Sequence, residues 1–181
     1  MLAYLFIAIA IAVRFLPHAF HFTPVGAALL FFGARQPRRQ MWVPVLLMAI
    51  ADMALNKFVY QYAVTWQTFV STAWYALAIL IGSGLLKRDQ ESGKYNVAKL
   101  AGASLAGSIS FFLISNFAVW ASWTMYPRTL AGLAECYFAA VPFFRNTLAS
   151  DLIFTLAIFA VPVAITAAKR MGEVGSSGSA A

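Results

Sequence analysis

The chain has little of what a water-soluble protein needs at its surface. Only 10% of its 181 residues are charged and 62% are hydrophobic, whereas a soluble domain is about 25% charged. So little polar surface cannot cover a core of this size in water, so the chain reads as an integral membrane protein. The one cysteine excludes an internal disulfide and a cysteine-based zinc cluster. Two histidines leave few bases for catalysis. A GxxxxGK[ST] loop is missing, so this chain does not hydrolyse ATP through a phosphate-binding loop. Acidic residues number six against thirteen basic ones, for a net charge of +7. The cations are dispersed among apolar runs and form no stripe with interleaved aromatics, which argues against a nucleic-acid partner.

What is present is a series of apolar runs. Leu2–Leu16 lacks a basic leader and a cleavage pattern before Arg14, so it is expected to stay as a helix and not to be removed as a signal peptide. Pro24 suits a helix start, and a second span is expected over about 20–34. It is short of the roughly 20 apolar residues that a crossing needs, so a full crossing stays open. Met41–Leu55, Gln67–Leu86, Val97–Val119 and Asn146–Ala168 complete six transmembrane helices. Asn56–Trp66 and Trp120–Phe144 read as loops on one side. The hydrophilic Lys87–Asn96 and the basic RQPRRQ at Arg35–Gln40 read as loops on the other. The expected fold is therefore all-α, one six-helix membrane domain over 1–171, with both termini cytoplasmic. Residues 172–181 read as a flexible tail whose final GSSGSAA has the composition of an appended linker.

Six spans give a charge test. One side holds Arg35, Arg38, Arg39, Lys87, Arg88, Lys94, Lys99, Lys169 and Arg170; the other holds only Arg14, Lys57, Arg128 and Arg145. Cytoplasmic loops carry the excess of Lys and Arg, so the richer side faces the cytoplasm. Trp42, Trp66, Trp120 and Trp123 fall near span ends, where aromatic belts form. The side chains that are costly in hydrocarbon collect at the other, outer ends of the spans. They are Arg14, His18, His21, Asp52, Asn56, Asn116, Glu135, Cys136, Arg145, Asn146 and Asp151. Polarity confined to one half of a bundle implies an outward-facing cavity and not a channel.

Each group has a chemical reading. Asp52 and Asp151 need partners inside a membrane, with Arg14 and Arg145 as candidates, and would tie helices together, orient a ligand, or do both. Arg145-Asn146, at the start of the last span, suits an anionic group. Asp151 lies on nearly the opposite helix face from Arg145, so neither can serve the other locally. His18 and His21 present two imidazoles at i, i+3, or cap a loop. Cys136 is a packed small residue, a soft ligand to a metal-bearing molecule, or a nucleophile served by a histidine. Ala8-x-x-x-Ala12 allows close approach of another helix.

The runs RFLPH, FTPVGAALLFFGA, FFLISNFAVW, YPRTLAGL and CYFAAVPFFRNTLASDL, with Asp52, together resemble an uncharacterised bacterial family of transport proteins. That family is similar to the substrate-binding S-components of energy-coupling factor (ECF) vitamin transporters. The resemblance implies a six-helix bundle in the bacterial cytoplasmic (inner) membrane that captures a vitamin-like or metal-bearing micronutrient, a corrin among them, near the outer face. It also implies a coupling subunit and ATPases as partners, with Ala8 and Ala12 at the contact. Substrate contacts are expected from His18, His21, Asp52, Asn116, Trp120, Glu135, Cys136, Arg145, Asn146 and Asp151, with no cofactor of the chain's own and no catalysis. A metal is expected only through the ligand, at Cys136 or the histidines. Two alternatives stay open: a membrane enzyme using Cys136 with His18 or His21, and a non-catalytic subunit of a larger membrane complex.

Overall fold

A computed structural model describes residues 1–16, 22–61, 66–86 and 95–178. The regular elements among the described residues are all helices, with no strand. Helix α1 is Leu2–Arg14, α2 Val25–Arg35, α3 Trp42–Ala54, α4 Trp66–Leu85, α5 Val97–Ser122 and α6 Leu130–Gly178. A 3₁₀ turn, Arg38–Gln40, leads into α3, and a π-helical stretch, Leu55–Tyr60, prolongs it. That extension ends where Gln61 takes a left-handed backbone, φ 55°, a conformation that commonly closes a helix. Four helical runs are long and apolar enough to cross a membrane: Arg38–Tyr60, Thr68–Leu85, Val97–Ser122 and Leu130–Met171. Large apolar side chains such as Leu5, Ile50, Phe69, Leu105, Phe117, Ile153 and Leu156 face outward. An exterior this apolar belongs against lipid, and the chain is a multi-pass membrane protein.

The two remaining helices are shorter apolar pieces of 13 and 11 residues. At about 1.5 Å per residue, α2 reaches only about 16 Å, half of a hydrocarbon core. Yet every residue from Val25 to Gly33 is buried, which puts α2 at the centre of the bundle. Phe31 meets Phe6 of α1 at 5.1 Å and Phe159 of α6 at 5.0 Å, both edge to face, a favoured aromatic geometry. Against α4 the approach is closer still. A Cβ on Gly33 would collide with the Ile79 carbonyl, and one on Gly82 with the Leu30 carbonyl. Apolar burial drives little association among helices already in lipid, so backbone contact through glycine is what holds such a crossing.

The expected loop Trp120–Phe144 is corrected by the structure: only 123–129 separates α5 from α6. Thr129 caps α6, its hydroxyl accepting from Gly132 N–H at 3.1 Å and its carbonyl from Leu133 N–H. The helix then runs through Pro142 and Pro162 without ending. Prolines are tolerated inside membrane helices because neighbouring groups make good the lost hydrogen bond. The polar cluster around Arg145 imitated a loop, but it lies on one helix whose last span is continuous with that supposed connection. Helix α6 also continues past Gly172 to Gly178. The third span is corrected in the same sense, running on from Leu55 to Tyr60 where a loop was expected.

Replacing Gly33 with Ala should lower stability in detergent by more than about 2 kcal/mol, since backbone cannot move aside for a methyl. Gly84→Ala meets no atom within 4 Å and should be neutral or stabilising by about 0.5–1 kcal/mol. Thermal unfolding of the two variants checks the contrast.

Candidate functional site

Among the described residues two carboxylates are buried, Asp52 and Asp151, at 7% and 6% exposure. They are compensated in different ways.

Asp52 closes α3 against α1 and α4. Arg14, the last residue of α1, forms an ion pair with Asp52 through Nη2 and Oδ1. The Tyr75 hydroxyl of α4 donates to Asp52 Oδ2 at 2.7 Å, and Arg14 Nη1 reaches the same hydroxyl oxygen at 3.5 Å. Both carboxylate oxygens and both terminal guanidinium nitrogens thus find partners. Bonds between charged groups in low dielectric are strong, and losing either partner strands the other. Arg14 was one of the partners expected for Asp52; Tyr75 was not foreseen, because nothing marks one tyrosine among seven.

Asp151 sits where α6 meets α5 and the first turn of α2. Ser108 of α5 donates to its Oδ2 at 2.6 Å. On its other side Gly26 makes the room: a Cβ there would lie 2.5 Å from Asp151 Oδ1. The carboxylate therefore faces the amide end of α2, where the helix dipole favours a negative group. Next to it, the Ser150 hydroxyl donates to Thr23 carbonyl at 2.9 Å, tying α6 to the strand of chain that enters α2. Trp74 beside Tyr75 donates to Ser110 at 3.1 Å, joining α4 to α5. Ser110 is two residues from Ser108, so the two carboxylate clusters sit at one level of the bundle, connected across the α4–α5 contact.

Beyond that level α5 and α6 continue as an antiparallel hairpin, with about 30 Å of α6 above Asp151. Cys136 is buried in its seam, the thiol donating to Asn116 carbonyl at 3.4 Å. Tyr137 donates to Leu113 carbonyl at 2.7 Å, and Phe112 stacks on Phe144 at 4.6 Å. The Asn116 amide donates back to Phe112 carbonyl. Trp120 donates to Pro127 carbonyl at 2.9 Å and carries Arg128 over its ring. Glu135, Arg145 and Asn146 are exposed on α6. The structure thus brings Asn116, Trp120 and Cys136 together in one hairpin, with Glu135, Arg145 and Asn146 on its exterior. Asp52 and Asp151 lie below, in separate clusters. His18 and His21 fall outside the described residues. Ala8 and Ala12 are both exposed, on the outward side of α1. Among the described residues no group of three or more His, Cys, Asp or Glu is placed to hold a metal ion.

The sequence of this bundle matches the family of unknown function DUF6580 over residues 1–172. The chain belongs to that family. No curated protein matches it, and no solved structure does.

Gly26 is the position that this geometry makes most sensitive in the Asp151 cluster. Gly26→Ala should displace the carboxylate from α2 and cost about 1–3 kcal/mol. Ser108→Ala, which removes a donor to a charged group, should cost about 1.5–3 kcal/mol. The two substitutions share one partner and should be non-additive in a double-mutant cycle followed by thermal unfolding.

Proposed function

We infer that this chain is a substrate-capture protein of the bacterial cytoplasmic membrane, similar to the S-components of ECF vitamin transporters. It crosses six times, α1 and α2 as short helices, with both termini in the cytoplasm. The observation that carries the reading is the segregation of polarity. Arg14, Asp52, Tyr75, Trp74, Ser110, Ser108, Asp151 and Ser150 form one level at the end of the bundle where α1 finishes and α2 begins. The core toward the other end, around Leu29, Leu30, Phe31, Phe32, Ile79 and Phe159, is mostly apolar and holds no buried charge among the described residues, its buried polar groups being the hydroxyls of Ser83, Ser104 and Thr155. Arg35, Arg38, Arg39, Lys99, Lys169 and Arg170 lie toward that other end, in keeping with a cytoplasmic face.

A pore needs polar lining from side to side; a capture site needs it on one. The α5–α6 hairpin, with Trp120, Tyr137 and Phe144 for stacking and Arg145 and Asn146 at its flank, supplies the chemistry for a planar, anionic, vitamin-like solute. A small micronutrient is therefore the expected ligand, and Cys136 the atom for a metal-bearing one. The exposed Ala8–Ala12 face of α1 offers a close-packing surface for a membrane coupling subunit with its ATPases.

Native mass spectrometry of the purified protein tests this. It should release a stoichiometric small molecule from the wild type, lost at least tenfold from Arg145→Ala and Asn146→Ala while both variants melt normally. A protein that is consistently empty, and that stays unbound through a panel of vitamins and cofactors, would overturn the reading.

A further inference from the structure

Below the Ser108–Asp151 bond, the seam between α5 and α6 holds more buried polarity than its hydrogen bonds use. Ser104 and Thr155 are both wholly buried, at 0% exposure. Most hydroxyls in these helices return their hydrogen to a carbonyl three or four residues back, as Ser110, Ser115, Ser122, Thr147 and Thr166 do. Ser104 Oγ and Thr155 Oγ1 have no hydrogen-bond partner among the described residues. An unsatisfied buried hydroxyl costs about 1–3 kcal/mol, and here two occur in one seam.

Their placement follows from helix geometry. Thr155 lies four residues after Asp151 and Ser104 four before Ser108, so each shares a face with its partner. Ser108 and Asp151 are bonded and the helices are antiparallel, so Ser104 and Thr155 face each other one turn away. Asp151 meanwhile has no lysine or arginine within ion-pair distance among the described residues; Arg14 with Asp52 is the ion pair there. One carboxylate without a paired cation and two unused hydroxyls thus share one stretch of the α5–α6 seam.

The geometry points to a monovalent cation site, for sodium, formed by the Asp151 carboxylate with the hydroxyl oxygens of Ser104 and Thr155. Hard oxygen donors suit an alkali ion. One carboxylate with neutral hydroxyls balances a single charge, and a divalent ion is bound by more carboxylate than this seam holds. A water molecule would satisfy the hydroxyls but leave the carboxylate without a cation. The ion would also fasten α5 to α6 directly beneath the hairpin.

The test is thermal unfolding of the full chain in detergent, titrating NaCl against choline chloride at constant ionic strength, with KCl as a further arm and no organic solute present. The wild type should gain about 5 °C, saturably and for sodium over choline, as ligand linkage requires. Thr155→Val keeps the shape and Ser104→Ala the helix; each should fold and shift the sodium midpoint at least tenfold upward. Identical melting in sodium, potassium and choline would overturn the site and assign the seam to water. A sodium response unchanged in both variants would overturn it too, by placing the ion elsewhere. Neither outcome touches solute capture, which is read separately from the released ligand.

Discussion

A charge buried in a bundle of this kind must meet an opposite charge, or enough hydrogen-bond donors, within the same few ångströms. Arg14, Asp52 and Tyr75 satisfy that requirement among themselves, and much of the architecture is fixed by it. Arg14 ends α1, Asp52 lies in the last turn of α3 and Tyr75 sits mid-way along α4. Their contact sets how far each helix is displaced along its neighbours. Once α1, α3 and α4 are so aligned, α2 packs against α1, α4, α5 and α6, pressed most closely on α4 where Gly33 and Gly82 remove the side chains. The amide end of α2 is then presented at the level of Asp151.

The second carboxylate depends on that placement. Gly26 leaves space for Asp151, and Ser108 and Ser150 complete its surroundings from α5 and α6. The two clusters differ in a way that bears on function. The first pairs an acid with a base and closes on itself; the second holds an acid, hydroxyls and a helix end. A closed ion pair is a fastening. An acid left with neutral neighbours is where an exchangeable partner can act.

The membrane class and the helical class were legible in composition and in the apolar runs. The pairing of Arg14 with Asp52 was within reach too, because charges in hydrocarbon need partners and few are present. The continuity of α6 was not legible. Pro142 and the polar residues around Arg145 carry the marks of a loop, and only the packing of Phe112 on Phe144 and of Cys136 on Asn116 shows a helix persisting there. Helix α2 is short, as its apolar run suggested, and its burial from Val25 to Gly33 is what the run did not reveal. Tyr75, Gly26, Ser104 and Thr155 did not stand out as site residues because each is an ordinary residue in an apolar run. The i, i+4 spacing of Ser104 with Ser108, and of Asp151 with Thr155, is the signal that would have found the last two.

The most direct test of this account is a double-mutant cycle on Arg14 and Asp52, with reversible unfolding in detergent as the readout. Arg14→Gln and Asp52→Asn should each cost about 3–5 kcal/mol, because each leaves a buried charge alone. The double variant should cost far less than their sum. If the two effects simply add, the pair does not hold α1 to α3, and the alignment built upon it is contradicted.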